Sequence, residues 1–202
     1  MRHSLSYVIS ILLVVTTVVG MVWTSDGDIV DSEMRREQAL ECTDFPVGVC
    51  DSQSVLDVRY MGMDGRHHRG QIVVHAVLAD DVRGIFHDLD SARFPVHSVI
   101  PIVRFGWSDD ASIARNNTSG FNYRTVAGTN RLSLHARGRA IDLNPYLNPY
   151  ITPGRRPLRP YDPRTPGTIV KGDAAYTAFV KRGWTWGGDW KNEKDYQHFE
   201  KR

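Results

Sequence analysis

The stretch of the chain that most constrains its fold is residues 133–142, which read SLHARGRAID. A histidine and an aspartate, His135 and Asp142, lie on either side of Gly138 within it. Because glycine inside a helix costs about 1 kcal/mol relative to alanine, a two-turn helix across this stretch is unfavourable. A tight turn at Gly138 followed by a short strand at 139–143 is favoured, since alternate side chains of a strand share a face. We therefore expect His135 and Asp142 to converge on one point.

These two side chains suggest a metal site that needs a third ligand. Imidazole nitrogens and carboxylate oxygens both bind zinc, and a catalytic zinc site uses three protein ligands and leaves one position open. A further histidine and carboxylate occur in residues 195–200, which read DYQHFE. His198 completes a His135/Asp142/His198 set and leaves Asp195 free as a base. The helical zinc motif H-E-x-x-H is absent from the sequence.

The pattern S-x-H-x-x-G-x-A-x-D followed by D-x-x-H-F-E resembles a known family, the zinc peptidoglycan metallopeptidases. This family groups D-Ala-D-Ala carboxypeptidases with L-alanyl-D-glutamate endopeptidases. The resemblance runs from about residue 60 to residue 202 and implies the Hedgehog/DD-peptidase fold, an α+β architecture in which helices pack on a small antiparallel sheet. It also implies Zn²⁺ as the cofactor and peptidoglycan stem peptides as the substrate.

The same resemblance suggests roles for residues outside the ligand set. Residues 121–124, FNYR, are similar to the family element whose arginine holds a substrate carboxylate, and the guanidinium fork of Arg124 suits that partner. An ordinary surface salt bridge is the alternative for Arg124. Ser133 is expected to hydrogen-bond the substrate or a ligand. Asp195 is expected to act as the general base.

Three functions follow as hypotheses. An aspartate three positions before the last histidine, as at Asp195, resembles the endopeptidase and phage-endolysin branch, whereas the dipeptidases and some carboxypeptidases of the family carry glutamate there. L-alanyl-D-glutamate endopeptidase activity is therefore expected. D-Ala-D-Ala carboxypeptidase is the alternative within the family. A cell-wall-binding module that retains zinc without turnover is the alternative from another class, although a pure binder has no need of a free carboxylate at Asp195.

The N-terminus carries a long apolar stretch. Residues 4–25 lack charge, follow Arg2 and precede several aspartates, so the rest of the chain is expected to be exported to the periplasm or another extracytoplasmic space. About 20 apolar residues suffice to span a bilayer, and no clear A-x-A cleavage site is present. A cleaved signal peptide and an uncleaved membrane anchor both remain open on this pattern.

Composition and spacing divide the chain into three segments. We predict a signal peptide or anchor at 1–25, a linker at 26–54 and a zinc peptidase domain at 55–202. The linker holds the two cysteines of the chain, Cys42 and Cys50, for which an oxidising compartment favours a disulfide over a zinc site that would need more ligands. The net charge of +2 is too small, and the arginines too scattered, to indicate a nucleic-acid partner, so none is expected, and a monomer is expected.

Hydrophobic periodicity and turn residues predict the elements of the domain. The first predicted element is a hairpin of 55–61 and 71–75, with His67 and His68 solvated in its loop. A helix at 79–93, a strand at 99–105 and a short helix capped by Ser108 follow. The remaining predicted elements are a long ordered loop at 145–166 and a helix from Asp173 to Gly183. Three tryptophans at 184, 186 and 190 are expected in the core or at the wall of the site.

Overall fold

A computed structural model of the protein describes residues 27–42, 45–154, 157 and 159–202. The predicted signal or anchor segment at 4–25 lies outside the described residues. Within the described ranges, no helix is both long enough and apolar enough to cross a membrane.

The described chain has an α+β architecture of short helices and small sheets. The strands are β1 (Ile29–Val30), β2 (Gln53–Gly62), β3 (His67–His75), β4 (Pro95–Val96), β5 (Ser98–Val99), β6 (Asn117–Thr118), β7 (Ala140–Asp142), β8 (Tyr150–Ile151), β9 (Thr185–Trp186), β10 (Lys194–Asp195) and β11 (His198–Glu200). The α-helices are α1 (Arg36–Ala39), α2 (Ala79–Ser91), α3 (Asp109–Ala114) and α4 (Ala174–Val180). Single turns of 3-10 helix occur at Ala76–Leu78, Ile102–Phe105, His135–Arg137 and Gly187–Asp189.

The largest sheet is built on the predicted hairpin. Strands β2 and β3 pair antiparallel along their whole length, and the strand order is β1-β3-β2-β4. Both outer strands, β1 and β4, pair in parallel with their neighbours, so this sheet is mixed rather than purely antiparallel. The α+β class is therefore confirmed, while the Hedgehog/DD-peptidase fold stays a prediction.

Two local predictions were wrong. His67 and His68 begin β3 rather than lying in the loop, and each places its Nδ1 within hydrogen-bonding distance of an aspartate, 2.9 Å from Asp90 and 3.0 Å from Asp31. The predicted strand at 99–105 ends at Val99, and a 3-10 turn follows. Pro101, the residue before that turn, has no backbone N–H to give to a sheet ladder.

The main core lies between this sheet and two helices. The apolar positions of α2 at Val82, Ile85, Phe86 and Leu89 are all buried, as their helical spacing predicts. Helix α4 begins at the predicted cap, where the Asp173 carboxylate accepts the N–H of Tyr176 at 2.7 Å. Its Phe179 stacks on Phe199 of β11 with ring centroids 3.8 Å apart. The core thus supports the C-terminal strand directly.

A second antiparallel sheet has the order β7-β11-β9. Gly138 makes the predicted turn before β7 with a left-handed φ of 64°, which is costly for any residue with a Cβ. The first half-motif therefore feeds straight into the strand that carries Asp142, and the second half-motif lies on the neighbouring strand.

The segment predicted as a linker packs on the domain. Cys42 and Cys50 form a disulfide, and Phe45 between them lies against Trp107, Phe121 and Tyr123. Two of these aromatic residues belong to the FNYR element that carries Arg124. The disulfide-closed loop therefore supports the backbone of that element.

The proline-rich loop is ordered in its described part, residues 145–154, 157 and 159–166. Its Tyr161 stacks on Tyr196 with ring centroids 3.7 Å apart, and two of its residues form β8, which pairs with β10. The buried amide of Asn148 donates to the carbonyls of Leu143 and Gly167. The loop is thus fixed against the strand that carries Asp195.

Candidate metal centre

Strand pairing brings the two half-motifs together. In the antiparallel pair of β7 and β11, Asp142 lies directly opposite His198, so their side chains share one face. His135 comes from the 3-10 turn that precedes β7, and the Ser133 Oγ accepts the backbone N–H of His135 at 3.2 Å. All three predicted ligands are buried.

The three ligand atoms form a nearly equilateral triangle. His198 Nδ1 lies 3.0 Å from Asp142 Oδ1 and 3.3 Å from His135 Nε2, and His135 Nε2 lies 3.2 Å from Asp142 Oδ1. A tetrahedral zinc site with ligand distances near 2.0 Å has edges of about 3.3 Å. The triangle therefore fits three corners of a tetrahedral metal site.

The outer nitrogen of each histidine has its own acceptor. His135 Nδ1 donates to the carbonyl of Gly120 at 2.6 Å, and His198 Nε2 donates to the Glu200 carboxylate at 3.3 Å. In the neutral imidazoles, these bonds leave the lone pairs of His135 Nε2 and His198 Nδ1 facing the centre of the triangle. Such outer partners fix the tautomer and the ring orientation of metal-binding histidines.

The electrostatics of the three side chains favour a positively charged group at the centre of the triangle. Burial acts to raise the pKa of Asp142, but the adjacent His135 and His198 outweigh it and hold that pKa well below its usual range. Burial acts to lower the pKa of His198, and its hydrogen bonds to Asp142 and Glu200 raise it to about 10. A proton on His198 Nδ1 and a metal ion would therefore compete for the same nitrogen, and the metal also satisfies His135.

Asp195 lies beside the triangle and outside it. Burial first, and the negative charge of Asp142 second, raise the pKa of the Asp195 carboxyl to about 7, whereas the positive charges of His198 and Arg124 act in the opposite direction. Asp195 Oδ1 is a buried oxygen with no hydrogen-bond partner among the described residues. A buried carboxylate oxygen with unused acceptor capacity suits the role of a general base.

The glycine pair after Trp186 allows Asp195 to reach this position. A Cβ on Gly187 would lie 2.5 Å from the carbonyl oxygen of Asp195 and 2.8 Å from its Cβ, closer than real Cβ contacts. Trp190, a few residues further on, is partly exposed, with its ring centroid 5.6 Å from that of His198. Of the three predicted tryptophans, Trp184 and Trp186 are core residues, and Trp190 lines the site.

Arg124 lies near enough to Asp195 for its charge to act on that carboxyl. Its Nε forms an ion pair with Asp109 of α3, so the salt bridge considered as an alternative is present. The other oxygen of Asp109 accepts the amide of Asn122 at 2.6 Å, and the backbone N–H of Asn122 donates to the carbonyl of His135. Asp109 pairs with Nε, and Nη1 directs one N–H to the carbonyl of Thr125 at 3.5 Å. The N–H groups of Nη2 and the second N–H of Nη1 remain for a substrate carboxylate.

The structure brings together the three ligands and the base that the sequence predicts, His135, Asp142, His198 and Asp195. The sequence predicted no role for Glu200, Asp109 or the Gly120 carbonyl. The signal for Glu200 was present, because a residue two positions after His198 on a strand shares its face. Asp109 was predicted only as part of a helix start, since its pairing with Arg124 depends on tertiary packing. Ser133 is buried against the His135 turn, and its contact with substrate stays a prediction.

Residues 127–201 match the family model described as D-alanyl-D-alanine carboxypeptidase. No curated protein and no solved structure matches the chain. The match begins after Arg124, so the role of that residue rests on the geometry around it. The match includes His135, Asp142, Asp195 and His198. This part of the chain is therefore similar to the D-alanyl-D-alanine carboxypeptidase family, in agreement with the resemblance found from the motifs.

Proposed function

We propose that the protein is an exported zinc peptidase that hydrolyses a peptide bond in peptidoglycan stem peptides, with L-alanyl-D-glutamate endopeptidase activity. One observation carries the proposal. Three lone pairs converge at tetrahedral spacing next to the buried, unpartnered Oδ1 of Asp195. A wall-binding module would need neither this oxygen nor its position beside the ligand triangle.

His135, Asp142 and His198 would hold the zinc ion through Nε2, Oδ1 and Nδ1. Bound zinc lowers the pKa of water toward about 7 and polarises the scissile carbonyl. Asp195 accepts the proton of the attacking water at Oδ1 and returns it to the nitrogen of the leaving amine. Arg124, held at Nε by Asp109, binds a carboxylate of the stem peptide with its terminal nitrogens.

A second candidate is D-Ala-D-Ala carboxypeptidase activity, which the description of the matching family model favours. Mass spectrometry of purified muropeptides after incubation with the protein distinguishes the carboxypeptidase activity from the endopeptidase activity. Release of terminal D-alanine with an intact L-alanyl-D-glutamate bond would support the carboxypeptidase and exclude the endopeptidase.

Substitution of Asp195 distinguishes a catalytic role of this residue from a metal-binding role. We expect Asp195→Ala to keep bound zinc and the fold while peptide cleavage falls by about 10²–10⁴-fold, the usual contribution of a positioned base. Zinc content, the melting temperature and the cleavage rate are measured on the same samples. Unchanged cleavage would place the base elsewhere, and loss of zinc would make Asp195 a ligand.

Export is part of the proposal. It is supported by the apolar stretch at 4–25 in the sequence and by the Cys42–Cys50 disulfide, which is typical of oxidising compartments. Terminal sequencing distinguishes the two N-terminal alternatives. A mature N-terminus near Met21 indicates a cleaved signal peptide, and an intact N-terminus in carbonate-washed membranes indicates an anchor.

A further inference from the structure

A carboxylate and a phenol lie next to the general base on the ribbon formed by β8 and β10. Tyr150 of β8 is directly opposite Asp195 of β10, and its hydroxyl hydrogen-bonds the carboxylate of Glu193. Glu193 immediately precedes β10 and is two residues before Asp195. Glu193 is also near enough for its charge to raise the pKa of Asp195.

The Tyr150–Glu193 pair is accessible to a ligand. Tyr150 is 41 % exposed and Glu193 is partly exposed. The described residues supply no cationic side chain in ion-pair contact with Glu193. The neighbouring Lys194 turns away and donates its ammonium to the carbonyls of Gly188 and Trp190 at 3.0 Å and 2.5 Å.

The hydrogen bond within the pair determines what it can recognise. The phenol of Tyr150 has one proton, which it donates to Glu193, and this hydrogen bond is the main cause that raises the pKa of Tyr150 above its usual value. Because the side chain of Thr152 also hydrogen-bonds Tyr150, the capacity that remains consists of acceptor lone pairs, chiefly those of the Glu193 carboxylate. A ligand for this pair must therefore be a hydrogen-bond donor, and the carboxylate favours a positively charged one.

The charges around Asp195 thus have two signs. Arg124 supplies a positive charge and Glu193 a negative one, and both act on Asp195 without forming an ion pair with each other. A substrate that complements this arrangement carries both a carboxylate and an ammonium group close to the bond that is cleaved. A stem peptide cut between L-alanine and D-glutamate offers both on the leaving-amine side, namely the D-glutamate carboxylate and the side-chain amine of the next diamino acid when that amine is free.

Building on the proposed function, we infer that Glu193, oriented by Tyr150, is a specificity residue that binds the free side-chain ammonium of the diamino acid in the stem peptide. Acylation of that amine removes its charge. The protein therefore distinguishes stems with a free amine from stems in which the amine is acylated.

The test uses the peptide L-Ala-γ-D-Glu-L-Lys-D-Ala with the lysine amine either free or acetylated. For the zinc-loaded wild type, we expect kcat/KM to be at least about tenfold higher for the free amine, the size of a hydrogen bond between charged partners. Glu193→Gln should reduce this ratio to near one. Asp80→Asn, which removes an equally negative but fully exposed carboxylate on α2, should retain the wild-type ratio. A wild-type ratio near one, or an unchanged ratio in Glu193→Gln, overturns the inference.

A binding measurement separates this inference from the proposed function. Calorimetry with Asp195→Ala gives the affinity ratio for the two peptides without turnover, and the double variant Asp195→Ala/Glu193→Gln should lose that ratio. If the wild type cleaves neither peptide but the tenfold binding preference depends on Glu193, the peptidase proposal fails alone. Absence of any preference in binding as well as in cleavage overturns the specificity role of Glu193.

Discussion

Glu200 lies behind the candidate metal centre and outside the set of three proposed ligands. Its carboxylate accepts the N–H of His198 Nε2, and Arg202 lies 3.2 Å from its other oxygen. The His198 interaction is the main cause that holds the pKa of Glu200 below its usual value, so the carboxylate stays ionised. An ionised acceptor behind a histidine makes the facing nitrogen a better metal ligand.

The role of Glu200 behind His198 can be tested by substitution. Glu200→Gln removes the negative charge behind His198, and we expect the affinity for zinc to fall by about 10–100-fold. Competition with a chromophoric chelator measures the dissociation constant. Glu37→Gln removes an exposed carboxylate on α1 and serves as the control, for which the constant should not change. Equal affinities in both variants would assign Glu200 no role in metal binding.

Asp109 supplies the second residue-scale prediction. Its carboxylate fixes the Nε of Arg124 and the amide of Asn122. Asp109→Asn removes the ion pair, and we expect KM for a stem peptide to rise about tenfold with kcat and zinc content nearly unchanged, because ground-state binding is what weakens.

The adjacent Asp110 provides a matched control. It lies in the same first turn of α3, is exposed, and is one residue from Asp109. Asp110→Asn should leave KM at the wild-type value. If Asp109→Asn lowers kcat and leaves KM unchanged, Asp109 does not act through the arginine.

At the scale of elements, the sequence predicted what depends on local pattern. The hairpin, α2, the Ser108 cap and the turn at Gly138 follow from periodicity, capping and glycine chemistry, and each was confirmed. The three candidate ligands could be picked out because their spacing resembles the motifs of a known family. The partners of Arg124 and Glu193 were not, because Asp109 and Tyr150 lie far from them in the chain and reach them only through packing.

The turn at Gly187, which packs against the proposed base Asp195, gives a prediction about a structural element. Because Gly187 has no room for a Cβ against Asp195, Gly187→Ala should displace β10, lower the stability by about 1–3 kcal/mol and reduce turnover while zinc remains bound. Gly27→Ala is the control, since a Cβ there meets no atom within 4 Å. Cleavage rate, zinc content and denaturant unfolding are measured for both. A fully active Gly187→Ala protein would show that the position of Asp195 tolerates this displacement.

For the molecule as a whole, the loop closed by the Cys42–Cys50 disulfide packs against the element that carries Arg124. Replacing both Cys42 and Cys50 by serine should lower the free energy of unfolding by about 2–3 kcal/mol, as expected for a short closed loop. It should also raise KM, because Phe45 then loses its restraint against Phe121 and Tyr123. Denaturant unfolding and peptide kinetics test both effects.

A reducing agent provides the internal control for the disulfide. It should give the wild type the stability and KM of the double serine variant, and it should have no effect on that variant. A drop in stability with an unchanged KM would mean that the loop stabilises the fold without supporting the arginine element.

The pairing of β7 with β11 has a consequence for unfolding. Asp142 and His198 are separated by 56 positions, and the proline-rich loop lies between them. A metal ion bound to both is a cross-link that closes this long loop, and the cross-link opposes chain expansion much as a disulfide does. A bound metal would thus stabilise the fold as well as supply the chemistry, since its removal would also free the proline-rich loop from this cross-link.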